Sequence, residues 1–146
     1  DEVVRRWDGD LPAGDPALHR EDGMNELLFR AAVGLDPKSS LHTPRAFRCP
    51  NGALADLVRV FNGEPLYDPA KLTGPVLLLR GADDTTSTDA DARRLLSRIA
   101  AHDKDYRAIA PGSHFLCIER NRLSLYREIN SFLERRSIPT ASGTFS

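Results

Sequence analysis

Two polar residues in the second half of the chain, Asp84 and His114, are of types and in positions suited to acid-base chemistry. Asp84 ends the stretch "VLLLRGADD", and His114 follows "YRAIAPGS", so each comes a few residues after a short apolar run. A carboxylate bound to one imidazole nitrogen fixes the tautomer of the ring and leaves the other nitrogen free to remove a proton. The two residues therefore form a candidate general base with its orienting acid.

Other residues nearby compete for these roles. Asp83 precedes Asp84 directly, and the spacing alone does not decide which of the two faces His114. Asp84 could instead be a turn or cap residue whose side chain accepts hydrogen bonds from nearby backbone amides. Ser113 and Cys117 are the nearest candidate nucleophiles, but neither occupies a turn that leads from a strand into a helix, and Ser113 is expected to point away from the ring.

The pattern around these residues predicts a strand, a helix and a second strand. Residues 76–79 are apolar without polar alternation, which is typical of a strand buried on both faces of a parallel sheet. Thr88 and Asp91 have the spacing of a capping box, which begins a helix that extends to about Ala101. Residues 106–110 then form the second strand.

A strand, a helix and a strand within about 35 residues predict a βαβ unit with parallel strands. The carboxyl ends of parallel strands lie at the same edge of the sheet, where ligands bind in open α/β folds. Neighbouring strands are about 4.8 Å apart. We therefore expect the carboxylate of Asp84 to lie within hydrogen-bond distance of the imidazole of His114.

The rest of the chain divides into a helical first part and a closing helix. Residues 1–15 are polar and rich in turn formers, and the spacing of apolar residues predicts helices over residues 16–33 and 54–61. A final amphipathic helix is predicted to end near Arg136. Residues 137–146 are expected to be a flexible tail.

Composition narrows the function classes. The net charge of −1 and the absence of a basic cluster argue against nucleic acid or an anionic membrane as a partner. Cys49 and Cys117 are the only cysteines, no apolar run is long enough to span a membrane, and the first residues do not resemble a signal peptide, so a cytoplasmic location is expected. No phosphate loop occurs and the four histidines are scattered, so no cofactor or metal is expected.

Residues 65–136 resemble the last third of the α/β-hydrolase superfamily. "PLYDPAKLTGPVLLLRGADD" is similar to the family's approach to the turn that carries the catalytic acid, and "APGSHFLCIERNRLSLYREINSFLE" is similar to its histidine loop and closing helix. The resemblance implies a partial α/β-hydrolase fold of class α/β, in which a parallel βαβα unit follows a helical cap over residues 1–64. It also implies that Asp84 is the catalytic acid and His114 the catalytic base.

The chain departs from this family in one respect. No G-x-S-x-G motif occurs, and because the family order is nucleophile, acid, histidine, the resemblance implies that the nucleophile precedes residue 1. The expected partners are the missing N-terminal half of the hydrolase core and a small-molecule substrate with an ester, amide or related bond. The nucleophile is a serine, cysteine or aspartate, and the chain by itself is expected to be inactive. In the cap, Trp7, Phe29 and Phe47 are candidates for lining a substrate pocket.

Two other hypotheses remain open at this point. The first is a non-catalytic module that uses a hydrolase-like scaffold to bind a small ligand or a protein. The second is a complete small α/β domain with a structural role, although a two-stranded sheet would leave unpaired edges.

Overall fold

A computed structural model describes residues 16–136, in which four α-helices accompany a two-stranded sheet. The helices are α1 (Met24–Leu35), α2 (Gly52–Phe61), α3 (Asp89–Arg98) and α4 (Arg122–Glu134), and the strands are β1 (Val76–Gly81) and β2 (Lys104–Ile109). Short 3-10 turns occur at Pro16–Leu18, Ser39–Leu41, Pro69–Lys71 and Leu116–Ile118. The predictions for residues 1–15, which include Trp7, and for residues 137–146 lie outside the described residues.

Strands β1 and β2 pair in parallel, with Val76 opposite Lys104 and Gly81 opposite Ile109. The mixed α/β class and the parallel pairing are thus confirmed. Strand β2 begins at Lys104, two residues before the predicted position. The apolar pattern behind the prediction did not include this charged residue. The Lys104 ammonium donates to the carbonyl oxygens of Leu96 at 2.9 Å and Ile99 at 2.7 Å, and so binds the carboxyl end of α3.

The predicted capping box begins helix α3. The Thr88 hydroxyl accepts from the Asp91 amide at 3.2 Å, and the Asp91 carboxylate accepts from the Thr88 amide at 3.3 Å. The helix ends at Arg98 instead of near Ala101, because the backbone of Ile99 is extended. This helix connects β1 to β2 and brings their carboxyl ends to one edge.

The predicted start of the first helix was wrong. A helix beginning at Pro16 was expected, but only a 3-10 turn forms there, and α1 begins at Met24. Gly23 separates the two with a φ of 77°, a left-handed conformation that glycine adopts readily and other residues rarely do. The segment between the 3-10 turn and α1 is therefore not helical, and its residues can contact residues that are distant in the sequence.

The buried apolar residues among residues 16–136 lie mostly in the second half; they are Pro69, Ala92, Ile99, Ala101, Ile109, Leu116 and Phe132. Helices α1 and α2 contain no buried residue. The apolar residues of β1 are only half-buried, although α4 packs against this strand. Among residues 16–136, no helix has both the length and the apolar character that a membrane crossing requires.

Candidate functional site

The Asp84 carboxylate and the His114 imidazole meet at the carboxyl edge of the sheet. Asp84 Oδ2 lies 3.0 Å from His114 Nδ1. Oδ1 of the same carboxylate accepts the amides of Thr86 at 2.8 Å and Ser87 at 2.9 Å, which fixes its orientation. The Asp84 side chain is 5% exposed, whereas 44% of the His114 side chain is exposed. The expected proximity is therefore present, and the ring can be reached from solvent. We call these two residues the dyad.

The environment of Asp84 favours its ionised form. Burial opposes the charge, but the hydrogen bonds from Ser87, His114 and Thr86 outweigh this effect and hold the pKa of the carboxyl below its ordinary value. An ionised carboxylate only accepts hydrogen bonds, so Nδ1 of His114 must carry the proton between them. Nε2 makes no hydrogen bond to any residue in the range 16–136 and is available to accept a proton.

Asp83 does not face His114, which resolves the choice between the adjacent aspartates. Its Oδ2 lies 3.1 Å from His19 Nε2 and accepts the Gly112 amide, also at 3.1 Å. These two bonds, that from Gly112 above all, lower the pKa of the Asp83 carboxyl. The two aspartates of this turn thus bind two different histidines.

Glu119 supports the loop that carries His114, a role that no motif or spacing indicated. Its side chain is almost completely buried, with the residue 1% exposed. The carboxylate accepts the Ser113 amide at 2.9 Å and a short hydrogen bond from the Ser113 hydroxyl, and that hydroxyl accepts the Phe115 amide at 3.2 Å. The residues on both sides of His114 are therefore held in place. Because its hydroxyl donates to Glu119, Ser113 is not available as a nucleophile.

Two glycines allow the turn of residues 81–84, the acid turn, to approach residues 110–119, the histidine loop. A β-carbon at Gly81 would overlap the backbone of Gly112 and Ser113. A β-carbon at Gly112 would lie 2.7 Å from the Ile109 carbonyl oxygen and 2.8 Å from Leu116 Cδ1, closer than such contacts allow. The absence of side chains at both positions therefore makes the 3.0 Å contact of the dyad possible.

A surface depression of about 240 Å³ lies beside the dyad. Asp84 and His114 line it together with the apolar or sulfur-containing side chains of Leu79, Leu116, Leu125 and Cys117 and with the polar residues Arg80, Ser87 and Ser113. Its volume is smaller than the roughly 300 to 1,000 Å³ of pockets for larger ligands, so it can hold only part of a substrate. The Cys117 thiol is exposed, and within the described residues no hydrogen bond joins its sulfur to the imidazole.

The predicted cap aromatics Phe29 and Phe47 contact each other edge to face, with ring centroids 6.2 Å apart. Neither of them lines the depression beside the dyad. Residues 16–136 also hold no group of three or more histidine, cysteine, aspartate or glutamate side chains suited to a metal ion.

Comparisons of the whole sequence with protein-family profiles and with curated proteins give no match. The geometry of the site is therefore the evidence for its chemistry. That geometry joins an oriented, ionised carboxylate to an accessible imidazole with one nitrogen free.

Proposed function

We propose that this chain is the C-terminal part of an α/β-fold hydrolase, in which Asp84 and His114 are the acid and base for hydrolysis of an ester, amide or related bond. One observation carries the proposal. A buried carboxylate lies 3.0 Å from an accessible imidazole at the carboxyl edge of two parallel strands. This is the edge at which open α/β sheets place their ligands.

In this mechanism Nε2 of His114 removes the proton from the attacking group. Asp84 holds Nδ1–H and stabilises the imidazolium that forms, and the ring then returns the proton to the leaving group. A serine or cysteine nucleophile would form an acyl-enzyme, which water activated at His114 would hydrolyse. An aspartate nucleophile, which has no proton to lose, would instead attack an alkyl carbon and displace a halide or open an epoxide, and water activated at His114 would hydrolyse the resulting alkyl-enzyme ester.

The surface of β1 supports the second part of the proposal, that a further half of the core covers this unit. Strand β1 is the more apolar of the two described strands, yet Val76 to Leu79 are only half-buried, and one edge of the strand is unpaired among the described residues. Parallel sheets are normally covered on both faces. Strands and helices of an N-terminal half, which would also carry the nucleophile, would complete this burial.

The exposed side of α2 supports the same idea. Its apolar stripe is solvent-exposed and consists of Leu54, Leu57, Val58 and Phe61. Singly exposed apolar residues are common on surfaces, but a contiguous apolar stripe usually marks an interaction site. As part of a cap, this helix would rest on the missing half of the core.

The test is to express the chain together with the polypeptide encoded upstream of Asp1 and to measure hydrolysis of nitrophenyl esters of increasing chain length. His114→Ala should lower the rate by about 10²- to 10⁴-fold, the usual contribution of a general base. His102→Ala is the matched control, because His102 is exposed in the turn before β2 and should leave the rate unchanged. Activity of His114→Ala near the wild-type rate would contradict the proposal.

The same experiment addresses the alternative, a binding module on a hydrolase-like scaffold. That alternative would be favoured if the upstream polypeptide contained no nucleophile at a strand-to-helix turn and the assembled protein bound nitrophenyl esters without cleaving them. The depression beside the dyad, where apolar side chains lie next to the dyad and to Arg80, Ser87 and Ser113, is compatible with such binding.

A further inference from the structure

We propose that His19 is a positioning residue for the dyad and acts through Asp83. The catalytic consequence of this inference rests on the function proposed above, but its geometric consequence does not. His19 lies 64 positions before Asp83 in the chain, in the segment between the first 3-10 turn and α1. It contacts neither Asp84 nor His114 through a hydrogen bond.

The contact between His19 and Asp83 is buried on the histidine side. The His19 side chain is 8% exposed, and its Nε2 lies 3.1 Å from Asp83 Oδ2. A buried ring nitrogen requires a polar partner, and the carboxylate supplies it. The Asp83 side chain is 34% exposed, so its carboxylate could turn toward water if the histidine did not bind it.

Asp83 in turn joins the acid turn to the histidine loop by two hydrogen bonds. Its amide donates to the Gly112 carbonyl at 2.8 Å, and its Oδ2 accepts the Gly112 amide at 3.1 Å. Asp83 is adjacent to Asp84, and Gly112 lies two positions before His114. The Asp83 side chain therefore helps to set the distance between the two residues of the dyad.

His19 is also held through its backbone at the far end of the same loop. Its carbonyl accepts the Arg120 amide at 2.8 Å, and the Arg120 guanidinium donates to the Arg20 carbonyl at 2.7 Å. Arg120 follows Glu119, which holds the loop from inside. Residues 19 and 20 thus connect the acid turn to the end of the histidine loop.

Removing the His19 side chain leaves Asp83 Oδ2 with one donor instead of two and frees the carboxylate to rotate away from Gly112. The acid turn and the histidine loop then lose one of the two hydrogen bonds that Asp83 makes between them, and the Asp84–His114 contact weakens although neither residue is changed. Only an N–H donor is required at position 19, so glutamine should replace histidine there.

Nitrogen and proton NMR of the histidine side chains in the 146-residue chain tests the geometric part. The proton shared by His114 Nδ1 and Asp84 should give a downfield resonance, assigned by its loss in Asp84→Asn. We expect His19→Ala to weaken or abolish this resonance and His19→Gln to retain it. His42→Ala is the matched control, since His42 is exposed and should not affect the signal.

An undiminished resonance in His19→Ala, with β1 and β2 amides still protected from hydrogen exchange, would overturn the proposal. If His19→Ala does not fold, Asp83→Asn takes its place, because asparagine has nearly the same shape and a weaker acceptor. Full retention of the resonance in that variant would overturn the proposal as well.

Activity of the assembled protein provides a separate readout. His19→Ala should lower kcat about 3- to 10-fold, the effect of one ordinary hydrogen bond, with KM unchanged, and His19→Gln should restore kcat. A change in KM alone would contradict a positioning role. Absence of ester turnover in every variant, with the NMR results as expected, would reject the proposed hydrolase function and leave the role of His19 in place.

Discussion

Replacing Gly81 with alanine should separate the acid turn from the histidine loop. The β-carbon of the new residue would overlap the backbone of Gly112 and Ser113, not the end of a flexible side chain. Backbone atoms can move only if the whole loop moves. Because Gly81 is also the last residue of β1 and pairs with Ile109, a shift of the backbone at Gly81 would also disturb the pairing of the two strands.

The size of the effect follows from the atoms that collide. An extra methyl group in a well-packed site costs about 1 to 3 kcal/mol when side chains can adjust. Here the colliding atoms belong to the main chain, so we expect a loss of about 3 kcal/mol or more in the free energy of unfolding. That is a large part of the roughly 5 to 15 kcal/mol by which domains are stable.

Urea unfolding measures the stability change, and the NMR signal of His114 Nδ1–H measures the dyad. Gly74→Ala is the matched control, because a β-carbon at Gly74 meets no atom within 4 Å. That variant should be neutral or more stable by about 0.4 to 1 kcal/mol, since alanine restricts the unfolded chain. If Gly81→Ala were as stable as Gly74→Ala and kept the Nδ1–H signal, the close approach of the two loops would be refuted.

Two further predictions concern the groups that hold the dyad. Because the folded pKa of Asp84 is below its ordinary 3.8, its contribution to the free energy of unfolding is complete above that pH and disappears as the pH falls below it. Asp84→Asn should therefore be less stable than wild type at neutral pH and should lose less stability on acidification. Urea unfolding of both proteins over that pH range measures this, and an equal loss in the two proteins would contradict it. Ser113→Ala removes the hydroxyl that donates to the buried Glu119 carboxylate and should cost about 1 to 3 kcal/mol. Ser97→Ala, which changes an exposed hydroxyl on α3, is its control in the same urea assay, and equal effects of the two substitutions would argue against the support of the loop by Glu119.

The parts of the site that could be predicted depend on local pattern. The apolar run of β1 and the capping box at Thr88 predict a strand followed by a helix, and parallel pairing then brings Asp84 near His114. Each step uses residues close together in the chain. For that reason the proximity could be predicted without any knowledge of tertiary contacts.

The parts that could not be predicted depend on single contacts between distant segments. Adjacent aspartates are alike in sequence, and only the donors around them, Gly112 for Asp83 and Ser87 for Asp84, decide which one faces His114. His19 follows no periodic pattern, and its partner lies 64 positions away.

The wrong start of α1 has a related cause. Residues 19–22 are all polar, and the left-handed backbone at Gly23 separates them from the first turn of α1. A glycine within a helical pattern only lowers the expectation of a helix, and tertiary contacts decide whether the helix breaks there.

The two histidine contacts close loops of different length, and this has a consequence for the order of folding. The contact between His114 and Asp84 spans 30 positions, whereas that between His19 and Asp83 spans 64. Since each doubling of loop length adds about 0.6 kcal/mol of closure entropy, the shorter loop closes at lower cost. Closing the Asp84–His114 loop therefore costs about 0.6 kcal/mol less chain entropy than closing the Asp83–His19 loop, so we expect the carboxylate–imidazole pair of the βαβ unit to form before His19 joins Asp83.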